Sequence, residues 1–175
     1  MTLDLSTFLR ATLIGGPAVA LTDEPVAIGL DVEHGVVVRR LAGGSMRTLD
    51  DVYAAYAHAW DFPDHFGWNK DAFADCLTDF DGRFRTATGA PGGGFLTIVD
   101  DAELLLADAS DTDFDWFAQI QADVRDDYRA ENAHHADRPV ALEFALALQT
   151  DAENLAAVRR RWTEAGAPPA ELDGR

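Results

Sequence analysis

Asp71, Asp75 and Asp79 recur at intervals of four residues within the stretch Asp64 to Gly82. On a helix, positions i, i+4 and i+8 share one face. Carboxylates so placed repel one another by about 0.2–0.5 kcal/mol per pair. Asp71 regains part of this at the positive end of the helix, whereas Asp79 meets the negative end. Lys70 has Ala74 four residues on, so it finds no ion pair along the helix. A rigid row of uncompensated carboxylates can stand in for phosphates on the Arg, Lys and His side chains of an enzyme that binds polynucleotides. Charge-assisted hydrogen bonds to such groups are strong, and the negative field speeds encounter. The plainer reading is a solvated helix face in an acidic protein.

Other arrangements carry less chemistry. Asp71 and Asp75 could form an acid–base pair, but an exposed helix lacks the burial that would separate their pKa values. Cys76 has no catalytic His partner and lies on an apolar stripe, which reads as a core thiol. Gly89 to Gly94 lacks the Lys-Ser/Thr of a phosphate loop and precedes a strand, so it reads as a linker. His134-His135 beside Asp137 offers no third ligand at a recognisable spacing, so no metal or cofactor is expected. The sequence therefore points to a binding protein and not an enzyme.

Acidic residues outnumber basic ones 31 to 14, a formal net charge of −17. Such a surface repels nucleic acid and anionic membranes and attracts basic proteins and cations. The lone cysteine, Cys76, excludes a disulfide within the chain and suits a reducing cytoplasm. Ala11 to Leu21 is mildly apolar, but Asp4 precedes it and Gly15-Gly16-Pro17 interrupts it, so it does not read as a signal-peptide core. No apolar run is long enough to span a membrane. The expected protein is soluble and cytoplasmic.

The acidic stretch needs a scaffold, and periodicity supplies one. Leu5 to Leu13 predicts a short helix. Val26 to Leu30 and Val36 to Leu41 predict strands joined at His34-Gly35 as a hairpin. Leu49, Val52, Tyr53, Tyr56 and Trp60 predict a helix from Thr48 to Trp60, with Thr48 and Asp51 as a capping box. Pro63 breaks the chain. The acidic helix follows from Asn69, a good N-cap, to Phe80, with Phe73, Cys76, Leu77 and Phe80 inward. Arg83 to Gly94 reads as a flexible loop, Phe95 to Val99 as a buried strand and Asp101 to Ala107 as a helical turn. Asp111 to Arg129 predicts a long helix capped by Asp111 or Thr112, followed by a polar loop from Glu131 to Arg138. Pro139 to Leu148 alternates as a strand, and Asp151 to Ala165 as a closing helix. Pro168-Pro169 begins a frayed tail.

This order predicts an α/β fold: a small three-stranded parallel sheet packed with helices through right-handed crossovers. An N-terminal hairpin or extension and a C-terminal helix would be added to it. The corresponding divisions are residues 1–35, 36–148 and 149–175.

The run from Phe62 to Thr78 resembles the barstar family of ribonuclease inhibitors. An apolar residue and Pro63, the rings of His65 and Phe66, then Gly67, Asn69 and the ending Asp71-x-x-x-Asp75-Cys76-Leu77-Thr78 carry the likeness. Leu49, Asp51, Val52 and Tyr56 fit the family pattern without a gap. The resemblance implies a barstar-like sheet over residues 36–148 and a partner that is a basic ribonuclease or nuclease toxin. It implies that the acidic helix and the loop before it plug the enzyme's active site, with no direct nucleic acid contact. Asp75 matches the family's principal acidic anchor and Asp71 a second acidic contact. His65 matches a stacking ring, and Gly67 and Asn69 the loop that shapes the start of the helix. The implied partner-binding set is His65, Phe66, Gly67, Trp68, Asn69, Asp71, Ala74, Asp75, Thr78 and Asp79. Ala74 stands where the best-known member has Trp, and Trp68 is a large residue new to the loop. For an acidic contact on the third helix, Asp123 and Ala122 align equally well. The alternative function is an interaction or regulatory module on the same fold, without nuclease inhibition.

Overall fold

Five parallel strands form one sheet in the order β2-β3-β4-β1-β5 in the computed structural model, which describes residues 2–29, 32, 35–80, 83–138 and 140–173. The strands are β1 (Val19–Thr22), β2 (Val37–Ala42), β3 (Gly94–Asp100), β4 (Glu143–Gln149) and β5 (Ala170–Glu171). The helices are α1 (Leu5–Thr12), α2 (Leu49–Ala59), α3 (Lys70–Thr78), α4 (Asp111–His134) and α5 (Ala152–Glu164). The α/β class and the parallel sheet agree with the sequence pattern.

The strand count does not: the sheet has five strands and not three. The central β3 and β4 are apolar on both faces, as buried parallel strands are. Phe95, Val99, Phe144, Leu146 and Leu148 point into a core shared with α2, α3, α4 and α5. Leu96, Ile98, Ala145 and Ala147 point the other way, onto Leu5, Phe8 and Leu9 of α1. The N-terminal segment thus covers the second face. Its strand β1 pairs with the free edge of β4, Val19 opposite Leu146.

The predicted hairpin does not form among the described residues. Among the described residues 26–29 there is no strand, while Leu30 and His34 lie outside the described residues. Val32 and Gly35 are helical, and the Val36 amide donates to the Val32 carbonyl at 2.8 Å. Val26, Val32 and Val36 close the second core. Their apolar character reflects burial against a sheet face and not edge pairing. Side chains of neighbouring strands complete the Val26 backbone: Gln149 Oε1 accepts from its amide and Arg40 donates to its carbonyl.

Nor is the tail frayed between Pro168 and Asp173. Beyond Pro168-Pro169, β5 pairs with β1, and Leu172 is buried opposite Leu3. A two-residue strand at a sheet edge tolerates preceding prolines because no ladder donor is lost. The loop before β3 is also tethered. Thr86 and Gly92 amides donate to the Ala90 and Phe84 carbonyls, and the Gly93 amide donates to Gly35 at 2.7 Å. A Cβ on Gly93 would lie 2.6 Å from Val140 Cγ1, so glycine serves close approach here and not flexibility.

Helix α4 runs to His134, past the predicted end at Arg129. Its cap is Ser110, whose Oγ accepts from the Asp113 amide, in place of Asp111 or Thr112. The polar last turns gave no apolar signal. Their anchor is Asn132, whose side chain accepts from the Leu142 amide and donates to the Leu142 carbonyl. Residues 102–108 form successive turns after β3.

Candidate functional site

The acidic helix stands where two kinds of local chemistry fix it. Asn69 Oδ1 accepts from the Ala72 amide at 2.9 Å, capping α3 as its sequence predicts. The same side chain donates from Nδ2 to the Gly67 carbonyl at 3.1 Å, so cap and loop are one unit. A Cβ on Gly67 would come within 3.0 Å of Asn69 Nδ2 and 3.2 Å of Ala72 Cβ. A side chain there would press on the cap, so the close approach favours glycine.

Below the helix, Phe73 lies within ring contact of Tyr53, Tyr56 and Phe117. Tyr128 holds the far end. Its hydroxyl donates to the Leu77 carbonyl at 2.8 Å and accepts from the Phe80 amide at 3.1 Å. These contacts leave α3 little freedom to roll, so the outward face is set. The helix proper ends at Thr78, two residues before the predicted Phe80, and Asp79 is its C-cap.

Asp71, Asp75 and Asp79 are all exposed and carry no ion pair among the described residues. Lys70 is taken up elsewhere. Its Nζ lies 2.7 Å from Asp113 Oδ1 and over the Trp116 ring at 5.3 Å. That hydrogen bond, with the one from Ser110, holds the Asp113 carboxyl below the usual range. The Asp79 carboxylate gains nothing from the helix, whose negative end it faces.

The loop residues divide by exposure. His65, Gly67 and Trp68 are exposed, whereas Phe66 is buried against Tyr53 and Phe62. Phe66 therefore shapes the loop from inside instead of offering its ring outward. Trp68 is 57% exposed, stands on the Phe66 ring at 5.1 Å and has φ of +52°. A bulky residue rarely adopts that conformation, and its surroundings must impose it. Ala74 is half-buried and packs beside the core, and Thr78 donates its hydroxyl to the Asp75 carbonyl at 3.0 Å.

Two hollows flank the ridge. One, of about 320 Å³, is lined by His65, Asp75, Cys76, Asp79 and Arg83 among others. It brings the expected ring and the expected anchor to one cleft. Cys76 is half-buried, less deeply than the stripe suggested. Burial first, then Asp75 and Asp79, push its thiol pKa up. The other hollow, of about 850 Å³, lies between the end of α3, α4 and the Ala90–Gly93 loop. Thr78, Asp79 and Asp127 share it. On α4 the residues that join this surface are Asp127, Tyr128 and Glu131, and of the two carboxylates Asp127 lies one helical turn beyond Asp123. Asp123, which the sequence offered beside Ala122, does not line this hollow. Trp116, the platform beneath Lys70, carried no signal in the sequence.

Among the described residues, no three His, Cys, Asp or Glu side chains are grouped to hold a metal. His135 pairs with Glu131 at 3.3 Å, and His134 contacts the Ala130 carbonyl. Among the described residues, no helix is long and apolar enough to cross a membrane.

No curated protein matches the chain. The family described as barstar (barnase inhibitor) matches residues 36–147, more than half of the 175 residues. That span holds β2, β3, most of β4 and the capped acidic helix, and leaves β1, β5, α1 and α5 outside it. The chain belongs to the barstar family.

Proposed function

We propose that this protein inhibits a basic ribonuclease or ribonuclease-type toxin by seating α3 in its active site. It acts in the cytoplasm of the cell it protects. The observation that carries this reading is the ridge of Asp71, Asp75 and Asp79: three exposed carboxylates without ion pairs among the described residues, on a helix pinned at both ends. Asp75 is the principal anchor, Asp71 the second, and His65 stacks beside them. Asp127 supplies the acidic contact from α4. Trp68, Asn69 and Gly67 fix the approach, and Ala74, Thr78 and Asp79 complete the contact face.

Inhibition assays against barnase and other basic microbial ribonucleases, at low and moderate salt, test this. Asp75→Ala should weaken inhibition by about 2–5 kcal/mol, the range for truncating one member of a desolvated charge pair. Glu153→Ala, on exposed α5, should leave it unchanged. Equal inhibition by both variants would remove α3 from the interface. Ala74, in place of a Trp, favours a second reading: a docking module for a basic protein, with no inhibition. Binding to a ribonuclease without loss of its activity would support that reading.

A further inference from the structure

The 850 Å³ hollow beyond the end of α3 is large enough for several side chains, and its character differs from the ridge. Phe80, Tyr128 and Leu142 give it an apolar base, and Pro91 to Gly93 form one wall. Val140 stands at its margin and is 57% exposed, an apolar side chain left in water. The wall is firm, since the Gly93 amide is tied to the Gly35 carbonyl at 2.7 Å.

The charge around this apolar base is uneven. Asp79 and Asp127 line the hollow and have no ion pair among the described residues. Arg138 lines it too, but its guanidinium is paired with Glu131 at 2.9 Å. The surplus is negative. Asp79 also lines the His65–Asp75 cleft, so the hollow continues the ridge without a break.

We propose that this hollow is a second docking site, which takes an apolar side chain flanked by Arg or Lys on a surface loop of the same basic partner. An apolar base with an acidic rim selects that combination: burial provides the attraction, and the flanking cations meet Asp79 and Asp127. An acidic loop of the same shape is repelled by the rim, and a neutral one gains no ion pair there. The proposal rests on the reading of α3 as the surface that meets a basic partner, and makes the hollow the part that chooses among such partners.

The test uses the full chain, isotope-labelled for amide spectra, with two capped tripeptides as probes, Arg-Phe-Arg and Glu-Phe-Glu. Arg-Phe-Arg should shift the Phe80, Gly92, Gly93 and Leu142 amides saturably and bind about tenfold more tightly than Glu-Phe-Glu. Val140→Lys, at a position 57% exposed, should weaken that binding by about tenfold, and Asp75→Ala should not change it. Equal response to both peptides, or shifts confined to residues 71–75, would overturn the proposal. Inhibition assays with barnase separate the two readings. If Arg-Phe-Arg binds as expected and no basic ribonuclease is inhibited, the hollow stands and the inhibitor reading falls. If a ribonuclease is inhibited equally by wild type and Val140→Lys, the hollow falls and the inhibitor reading stands.

Discussion

Lys70 of α3 reaches Asp113 of α4, Nζ to Oδ1 at 2.7 Å, and so withdraws the chain's single lysine from the acidic ridge beside it. Both side chains are about one-third exposed, so the pair contributes no more than about 1 kcal/mol to stability. Its effect on the ridge is larger in kind. Asp71 follows Lys70 in sequence yet has no ion pair among the described residues.

Asp113→Ala frees Lys70 to screen Asp71. It should lower the association rate with a basic ribonuclease and flatten its salt dependence, while thermal stability changes little. Lys70→Met should leave the rate at least as high as wild type. Stopped-flow association at two salt concentrations reads both. The sign of the pH dependence follows from Asp113, whose pKa is lowered by the Lys70 bond. The pair's stabilisation is full above the unfolded carboxylate's pKa and is lost as pH falls through the lower folded value.

Asn69→Ala removes both the cap to Ala72 and the tie to Gly67. A lost N-cap costs about 1 kcal/mol of stability. Asn69→Asp keeps the cap and loses only the donor to Gly67. Denaturant midpoints should fall for Ala and hold for Asp, while both variants bind a ribonuclease more weakly because the His65–Trp68 loop loosens.

Tyr128→Phe leaves the Phe80 amide and the Leu77 carbonyl without their buried partner. An unsatisfied buried polar group costs about 1–3 kcal/mol. The midpoint of urea unfolding should drop by a corresponding amount, and amide exchange should quicken first at Phe80. Unchanged exchange there would show that the hydroxyl does not secure the end of α3.

Glu143, at the start of β4 beside α1, has its carboxyl pushed up to about 7 by burial, with Arg10 acting weakly in the other direction. A folded pKa above the unfolded one means that stability is greatest at low pH and is lost as pH rises through 7. Glu143→Gln should therefore stabilise the protein by about 1–2 kcal/mol at pH 8, allowing for partial solvation, and by little at pH 5. Urea midpoints at the two pH values give the comparison.

The sequence by itself determined the pieces whose causes are local. Thr48 with Asp51 and Asn69 with Ala72 set helix starts because a cap needs only three or four adjacent residues. The spacing of Phe73 and Leu77 fixed which side of α3 is buried, and so which side carries the carboxylates. Phe95 to Val99 declared a buried strand because both faces of it are apolar.

Other features depended on partners distant in sequence. Val19 to Thr22 is a strand because the edge of β4 was free to receive it, and Val26 is not one because Gln149 and Arg40 bind its backbone instead. Ala170-Glu171 joins β1 across most of the chain's length. Only packing turned Lys70 away from the ridge toward Asp113, sank Phe66 beneath the loop, and brought Asp127 to the hollow that it shares with Asp79. Periodicity reports which face of an element is dry. Which element lies against that face, and in what register, is decided by the whole sheet.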